Sequence, residues 1–162
     1  HYNNLTGTKA ELDDSGVEVC VTHTPRKFAA TTFSGFAAIP RIPAGQEIDI
    51  VGTCNVAVKQ PTYLISESPH AHQLATHMKL VVKRGSEEIV LHDAPFAFDG
   101  QVATQLPEPF ELKNGDVVTT TCHYKNDTNK VVGFGEDTGN EMCFNFVVYY
   151  PMGSLSCSRA AR

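Results

Sequence analysis

The sequence predicts an all-β fold, an antiparallel β-sandwich or jelly roll stapled by disulfides. Short runs of β-branched and aromatic residues alternate with turn residues along the chain. Nine prolines and twelve glycines punctuate these runs. No window keeps a helical apolar period over three turns. Strands at such regular spacing are typical of a sandwich or a jelly roll.

The predicted strands follow one another from the first third of the chain to its end. The run 46–58 is entered through a Pro-Ala-Gly turn, and the runs 78–83 and 88–92 form a hairpin around Arg84-Gly85-Ser86. A second hairpin turn is predicted at Lys113-Asn114-Gly115-Asp116, because Asn-Gly tolerates positive φ. The predicted strands are 17–23, 46–58, 62–66, 78–83, 88–92, 110–112, 116–124 and 143–150.

Side-chain alternation sorts the last two strands by face. Cys122 shares a face with Tyr124, and Cys143 shares a face with Asn145, whereas Met142 and its even-numbered successors lie on the opposite face. If the two strands pair antiparallel, Cys122 meets Cys143. The pattern therefore makes this disulfide plausible.

The overall composition excludes several classes of protein. The chain has 162 residues, which fits one domain, and 41% hydrophobic content, which argues against a disordered chain. Thirteen Lys and Arg against eighteen Asp and Glu give a net charge of −5, with no basic cluster to bind nucleic acid. No apolar run approaches the ~20 residues of a membrane span. The chain begins with polar residues, so we expect any export signal to lie outside it.

Five widely spaced cysteines point to an oxidising compartment. None forms a Cys-x-x-Cys pair, so disulfides that close long loops are expected, and hence a secreted or secretory-pathway protein. Two sequons, at Asn4 and Asn126, agree with a glycoprotein. The odd cysteine is Cys20, in the apolar run Val17–Val21. A buried, inert thiol is the preferred interpretation, with a link to another molecule as the alternative.

His70 and His72 are the strongest local feature. Residues i and i+2 of an extended segment point to the same side, so both imidazoles can converge on one metal ion. The alternative is two solvated loop histidines. His77 and His92 lie nearby in sequence, and a three- or four-histidine site is conceivable, unless each is a surface histidine. By contrast, His23 and His123 fall in strand patterns and are expected to be structural.

Met142 is the second unusual residue, because it stands at the mouth of a predicted strand. A thioether is a soft ligand that suits Cu(I), although a methionine can also fill a gap in the core. No pattern brings residue 142 to residue 70. The acidic side chains form no general acid and base pair and are expected to be a solvated surface: Glu67, Glu87, Glu88, Asp93, Asp99, Asp137 and Glu141.

An ordered set of motifs resembles the copper type II, ascorbate-dependent monooxygenases. The segment 139–151, Gly-Asn-Glu-Met-Cys-Phe-Asn-Phe-Val-Val-Tyr-Tyr-Pro, resembles the family's Glu-Met-Cys signature with its paired tyrosines. The other parts follow in family order and cover nearly the whole chain: Asp14-Ser15-Gly16-Val17, Cys54, His70-Ala71-His72, Lys79–Gly85, Asn114-Gly115-Asp116-Val117, Thr121-Cys122 and Cys157.

The resemblance implies a copper site and two disulfides. His70, His72 and Met142 would bind one copper ion with an open position, at which dioxygen hydroxylates a C–H bond with a reductant such as ascorbate. The implied bridges are Cys122–Cys143 and Cys54–Cys157.

The resemblance also places the chain within a two-domain enzyme. Residues 1–162 would be a single β-sandwich domain that corresponds to the family's second, catalytic-copper domain. His1-Tyr2 resembles the segment that supplies the last ligand of the first copper, so the first copper domain would sit on the precursor or on another chain. A third possibility is that His1, with a free amine, makes a new metal site.

Two positions bear on the substrate, which is expected to be a small molecule or peptide-like. Ser68 stands where peptide-hydroxylating members have an arginine that holds a carboxylate, and Phe146 stands where a tyrosine is common. A glycine-extended peptide is therefore disfavoured, and a neutral or amine substrate is left open. The alternative function is a non-catalytic secreted β-sandwich, a binding or structural module with a vestigial or binding-only copper site.

Overall fold

The fold is built from strands joined by turns. A computed structural model describes residues 7, 9, 10, 12–37 and 41–158. A 3-10 turn at Phe98–Gly100 is the one helical element within these residues. The strands are β1 Thr31–Phe36, β2 Glu47–Val58, β3 Thr62–Ala71, β4 Ala75–Arg84, β5 Glu87–Pro95, β6 Thr104–Leu112, β7 Val117–Lys125, β8 Cys143–Tyr150 and β9 Leu155–Ser158.

These strands form two antiparallel sheets. One has four strands in the order β1-β8-β3-β6, and the other has five in the order β5-β4-β7-β2-β9. Buried apolar side chains of both sheets form the core between them, with Leu64 and Val147 from the first sheet against Leu80 and Val118 from the second. The predicted all-β sandwich is confirmed.

The strand predictions hold best where alternation is long. The predicted runs at 46–58 and 143–150 match β2 and β8 closely, and β3 extends five residues past the predicted Ser66, to Ala71. The short edge strands β1 and β9 were not predicted, because neither carries a sustained apolar alternation.

The predicted strand at 17–23 is wrong. Its residues pair with no strand among the described residues, and they are exposed. Cys20 is consequently an exposed free thiol, not the buried one expected. Alternation marks a segment able to form a strand, but pairing requires a sheet edge within reach.

The turn at 113–116 is correct in position and wrong in connection. Gly115 has φ +88°, and the Asp116 amide donates to the Lys113 carbonyl at 3.1 Å. The strands on either side, β6 and β7, belong to different sheets. The turn therefore carries the chain from one layer of the sandwich to the other and does not close a hairpin.

Both expected disulfides are present. Cys54–Cys157 links neighbouring strands β2 and β9 of one sheet. Cys122–Cys143 links β7 to β8, which lie in opposite sheets. The expectation that β7 and β8 pair is wrong, because this second bridge crosses the core between the layers.

Arg84, at the end of β4, also links the two layers. The Arg84 guanidinium binds both carboxylate oxygens of Asp116, at 2.8 and 2.7 Å, and donates to the Glu111 carbonyl in β6. Asp116 is buried, and its carboxylate also accepts the Lys113 amide at 2.8 Å. Burial alone would raise the pKa of Asp116, but the bonds from Arg84 and Lys113 outweigh it and hold that pKa below its usual value.

Candidate metal centre

Strand register brings the two parts of the candidate site together. In the β3–β8 pair, His70 lies opposite Phe144 and Ala71 lies opposite Cys143. The antiparallel register therefore carries the chain at His72 to the chain at Met142. This long-range pairing is what no local pattern could reveal.

A cleft of about 600 Å³ opens at this end of the sandwich. Both imidazoles and the methionine side chain contribute to its wall, and the remainder comes from the 3-10 turn and from the loop before β8. The lining residues are His70, His72, Phe98, Gln101, Glu136, Thr138 and Met142.

Hydrogen bonds hold both imidazoles in one tautomer. The His70 Nδ1 lies 2.7 Å from the Gln101 Oε1, and the His72 Nδ1 lies 2.9 Å from the Asn140 carbonyl oxygen. Both partners are acceptors, so each Nδ1 carries the proton and each Nε2 keeps its lone pair. Metal-binding histidines in proteins are commonly oriented in this way.

The Gln101 amide has a defined orientation because its nitrogen is also engaged. Its Nε2 donates to the Ala71 carbonyl at 3.2 Å and to the Phe98 carbonyl at 3.0 Å. This leaves the oxygen to face the His70 ring. Gln101 thus connects β3 to the 3-10 turn and fixes the ring between them.

Glu141 fastens the backbone on either side of the turn after β3. Its Oε2 accepts the His72 amide at 3.0 Å, and its Oε1 accepts the Leu74 amide at 2.6 Å. The side chain is fully buried, so the expectation of a solvated Glu141 is wrong. Three successive residues therefore shape this part of the site. The Asn140 carbonyl binds the His72 ring, the Glu141 carboxylate binds the His72 backbone, and the Met142 side chain lines the cleft.

The opposite sheet anchors Met142. The Tyr124 hydroxyl donates to the Met142 carbonyl at 2.6 Å, and the next residue, Cys143, is bonded to Cys122. Both anchors stand on β7, and Tyr124 is completely buried. Burial, and then the charge of Glu141, raise the pKa of the Tyr124 phenol, so the hydroxyl stays a donor.

Burial also shifts two ionisable groups of the site. It lowers the pKa of His70 below the usual value, against the Gln101 hydrogen bond, and the neighbouring His72 lowers it further. A neutral imidazole is the form that binds a metal. Burial raises the pKa of Glu141, and the amide hydrogen bonds of Leu74 and His72 oppose that rise.

Ser68 and Phe146, the two predicted substrate positions, are cross-strand partners beside the cleft. The Phe146 ring lies 5.8 Å from the His70 ring and stacks on Phe144 at 5.6 Å, with 14° between their planes. These rings stand on the outer face of the four-stranded sheet, since Asn145 and Val147 between and beyond them point into the core. The apolar surface thus continues from the cleft along β8.

The other described histidines do not join the site. His77 contacts Asp93, His123 contacts Asp49, and His92 binds Glu67 at 3.0 Å. In the described part of the chain, no three His, Cys, Asp or Glu side chains are grouped to hold a metal. The conceivable three- or four-histidine site is therefore wrong.

Two further sequence expectations need correction. Glu67 is buried, where its carboxylate bridges His92 and the Asn145 amide, so it is not part of a solvated surface. His23 lies in an exposed segment without strand pairing, so the structural role expected for it is wrong.

Asn126 is also unsuited to the role that its sequon suggested. Its amide nitrogen donates to the carbonyls of Ile42, Pro43 and Lys130, and its side chain is buried. The folded chain therefore does not present it for glycosylation. The other sequon, at Asn4, and the first residue, His1, lie outside the described residues.

The sequence signal for the supporting residues was weak. Gln101 and Tyr124 lie in no motif that carries chemistry, and Asn140, although next to the Glu-Met-Cys signature, acts through its backbone carbonyl. Glu141 is the exception, because it stands beside Met142 in the recognised signature. An acidic residue followed directly by a methionine and a disulfide cysteine is the signal that could have marked it.

The sequence matches the family described as "Copper type II ascorbate-dependent monooxygenase, C-terminal domain" over residues 28–161. The chain belongs to this family. The two histidines with free Nε2 atoms and the nearby thioether fit the copper that the family name implies, because this donor set suits Cu(I).

Several monooxygenases are similar to the chain. DBH-like monooxygenase protein 1 from Gallus gallus is 29% identical over 96% of the chain and 28% of the relative. Putative DBH-like monooxygenase protein 2 from Homo sapiens is 28% identical over 96% and 34%. Dopamine beta-hydroxylase from Canis lupus familiaris is 27% identical over 99% and 28%. The chain thus spans about a third or less of the relatives' length.

Proposed function

We propose that the chain is the copper-binding domain of a copper-dependent monooxygenase that hydroxylates a C–H bond with dioxygen and a reductant such as ascorbate. His70, His72 and Met142 are the proposed copper ligands. The observation that carries the proposal is the pair of imidazoles that share one cleft with a thioether while both Nδ1 atoms are engaged elsewhere.

The protein's part in the reaction is to present two lone pairs and one sulfur in a fixed frame. Gln101 holds the His70 ring, and the Asn140 carbonyl holds the His72 ring. Glu141 holds the backbone of the turn that joins β3 to β4. Copper, when bound, supplies the dioxygen and electron chemistry of the family. Because the rings are oriented before the metal binds, little reorganisation is required.

The cleft favours a neutral or amine substrate over a carboxylate. Among its described lining residues there is no lysine or arginine, whereas Glu136 contributes a carboxylate. Ser68, at the position of the family's carboxylate-binding arginine, carries no charge. Phe98 provides an apolar wall that contacts the His72 ring at a centroid distance of 6.1 Å. A substrate with an apolar body and a cationic or neutral end fits this lining.

Turnover by such a monooxygenase would require electrons beyond those that the copper at His70, His72 and Met142 can supply. We propose that a first copper domain, on the precursor or on another chain, supplies them, and that ascorbate is the ultimate reductant. His1 remains the proposed link to that first copper, or the proposed separate metal site. The two disulfides support our proposal of a secreted or secretory-pathway protein. Within the part of the chain that the structure describes, there is no apolar helix of membrane-spanning length.

A copper titration tests the site. The wild-type chain should bind about one copper, and the double variant His70→Ala with Met142→Ala should bind none at this site. The matched control removes the same two residue types elsewhere, His123→Ala with Met152→Ala, where both side chains are exposed. Unchanged stoichiometry in the first variant would refute the ligand set.

Oxygen consumption driven by ascorbate tests catalysis separately from binding. It should be measured on the longest natural chain that contains this domain, with and without a candidate amine. Consumption that stops in the His70→Ala variant supports a monooxygenase. Copper binding without consumption would support the alternative, a binding or structural module.

A further inference from the structure

A second cavity, of about 190 Å³, lies between the two sheets beside the edge strand β1. Its walls come from β1, β2, β7 and β9, and they include the Cys54–Cys157 disulfide. The described residues that line it differ from those that line the cleft of His70 and His72, so the two sites are separate. The lining residues are Phe33, Ser34, Gly35, Gly52, Thr53, Cys54, Val118, Thr120 and Cys157.

Two buried hydroxyl groups on this wall lack a hydrogen-bond partner among the described residues. They are the Ser34 Oγ and the Thr120 Oγ1. Thr120 is only 2% exposed. Buried polar side chains in proteins are nearly always hydrogen-bonded, and an unpaired one destabilises the fold. Two unpaired hydroxyls on the wall of one cavity therefore indicate a site for a ligand that binds both.

Gly35 keeps the Thr120 hydroxyl uncovered. A Cβ atom at position 35 would lie 2.9 Å from the Thr120 Oγ1, which is closer than Cβ atoms approach other atoms in proteins. The φ angle of Gly35 is not positive, so the backbone conformation does not itself require a glycine at this position. The absence of a side chain therefore preserves a polar recess that the ordinary packing of a β-strand would close.

The rest of the wall selects the chemical class of the ligand. Phe33, Val118 and the disulfide provide apolar surface, and none of the described lining residues is charged. A charged ligand would lose its hydration here without gaining a counter-ion. Water alone would fit poorly, because each buried water needs about two to four polar partners and a cavity of this volume holds several waters. An apolar cavity of about 150 Å³ in another protein binds benzene, so a ligand of that size fits.

We propose that this cavity is a binding site for a small uncharged molecule with an apolar body and one hydrogen-bonding group. The polar group would contact the hydroxyls of Ser34 and Thr120, and the apolar body would pack on Phe33 and Val118. A hydroxyl or carbonyl group suits the polar end, because serine and threonine hydroxyls both donate and accept hydrogen bonds. The site is independent of the copper site, so neither inference depends on the other.

Phenol and toluene are matched probes of this site, because they have nearly the same shape and differ in one hydroxyl group. In a chemical-shift titration of the chain, phenol should shift the amide signals of Gly35, Thr53 and Thr120 in a saturable way. It should bind at least about 10-fold more tightly than toluene, which leaves both hydroxyls unpaired. Saturable shifts with neither probe would overturn the proposal and leave water as the occupant. Equal affinity for the two probes would also overturn it.

Thr120→Val tests the assigned contact, because valine keeps the branched shape of threonine and removes the hydroxyl. The affinity of this variant for phenol should fall to about its affinity for toluene. Ser34→Ala removes the other hydroxyl and should also weaken phenol binding. Thr121→Val is the control, since its side chain lies on the opposite face of β7. A wild-type preference for phenol in both Thr120→Val and Ser34→Ala would contradict the proposal. Copper stoichiometry should be unchanged in all three variants, which separates this outcome from a failure of the metal site.

Discussion

Replacing Glu141 with glutamine should weaken copper binding although the residue is not a proposed ligand. The carboxylate accepts the His72 amide at 3.0 Å and the Leu74 amide at 2.6 Å. A glutamine of the same shape has one oxygen, so its NH₂ group must face one of these two donors. One hydrogen bond is lost, and a buried N–H is left opposite another N–H.

The magnitude follows from the strength of the bonds lost. A hydrogen bond to a charged group contributes about 1.5–3 kcal/mol, and an unsatisfied buried donor costs a similar amount. Residues 72–74 lose this support in the variant. Because His72 belongs to that segment, we expect its ring to shift from the position that favours copper binding. Variants of residues that orient metal ligands lower metal affinity by roughly 10- to 100-fold. We therefore expect a loss of copper affinity in this range and a fall of about 2–3 kcal/mol in the free energy of unfolding.

The assay is a competitive titration with Cu(I) and a chelator of known affinity, together with urea unfolding of the metal-free protein. Glu88→Gln is the control, because Glu88 lies on the surface beside Lys79 and Lys83. Circular dichroism identifies any variant that does not fold, and the affinity comparison uses conditions in which both variants are folded. Wild-type copper affinity in a folded Glu141→Gln protein would refute the positioning role.

Three further outcomes are expected. The pKa of Asp116 lies below its usual value in the folded state, so its pair with Arg84 stabilises the fold above about pH 4 and this stabilisation is lost as pH falls further. In Asp116→Asn, the free energy of unfolding should therefore decrease less steeply as the solution is acidified below that pH. Removing the bridge that closes a 103-residue separation, by Cys54→Ala with Cys157→Ala, should lower the denaturation midpoint by an amount equivalent to about 3–5 kcal/mol, measured without reductant. Glu136→Lys should reduce kcat/KM for an amine substrate and spare a neutral analogue, and an equal effect on both would contradict its electrostatic role.

Local chemistry made several elements of this protein predictable. The long alternating runs in β2 and β8 carried their own signal, and so did the i, i+2 spacing of His70 and His72. Each of these depends on neighbours within a few residues. The connection of β6 to β7 across the sandwich did not follow from the Asn114-Gly115 turn, because the turn fixes the local backbone and not the sheet that receives the next strand.

The supporting residues of the site were beyond sequence reasoning for a related reason. From the sequence alone, Glu67 and Glu141 are indistinguishable from surface carboxylates. Their burial becomes visible only from the pairing of β3 with β8 and from the packing of the opposite sheet. A residue's burial is decided by strands that are distant in sequence. Acidic residues inside a sandwich are therefore recognised by the donors that surround them in the fold, backbone amides for Glu141 and side chains for Glu67, and not by composition.

The same reasoning explains why Met142 can be held so firmly at the start of a strand. Its carbonyl is fixed by Tyr124, its successor is fixed by a disulfide, and its predecessor binds the turn that carries His72. Two of these restraints reach β7 and the third reaches the turn after β3, so displacing the Met142 backbone would require breaking contacts with both elements. As the proposed soft ligand, the Met142 thioether would contribute little binding energy of its own, so its position must come from the fold. The dense anchoring of this one backbone position is what a site that depends on such a ligand requires.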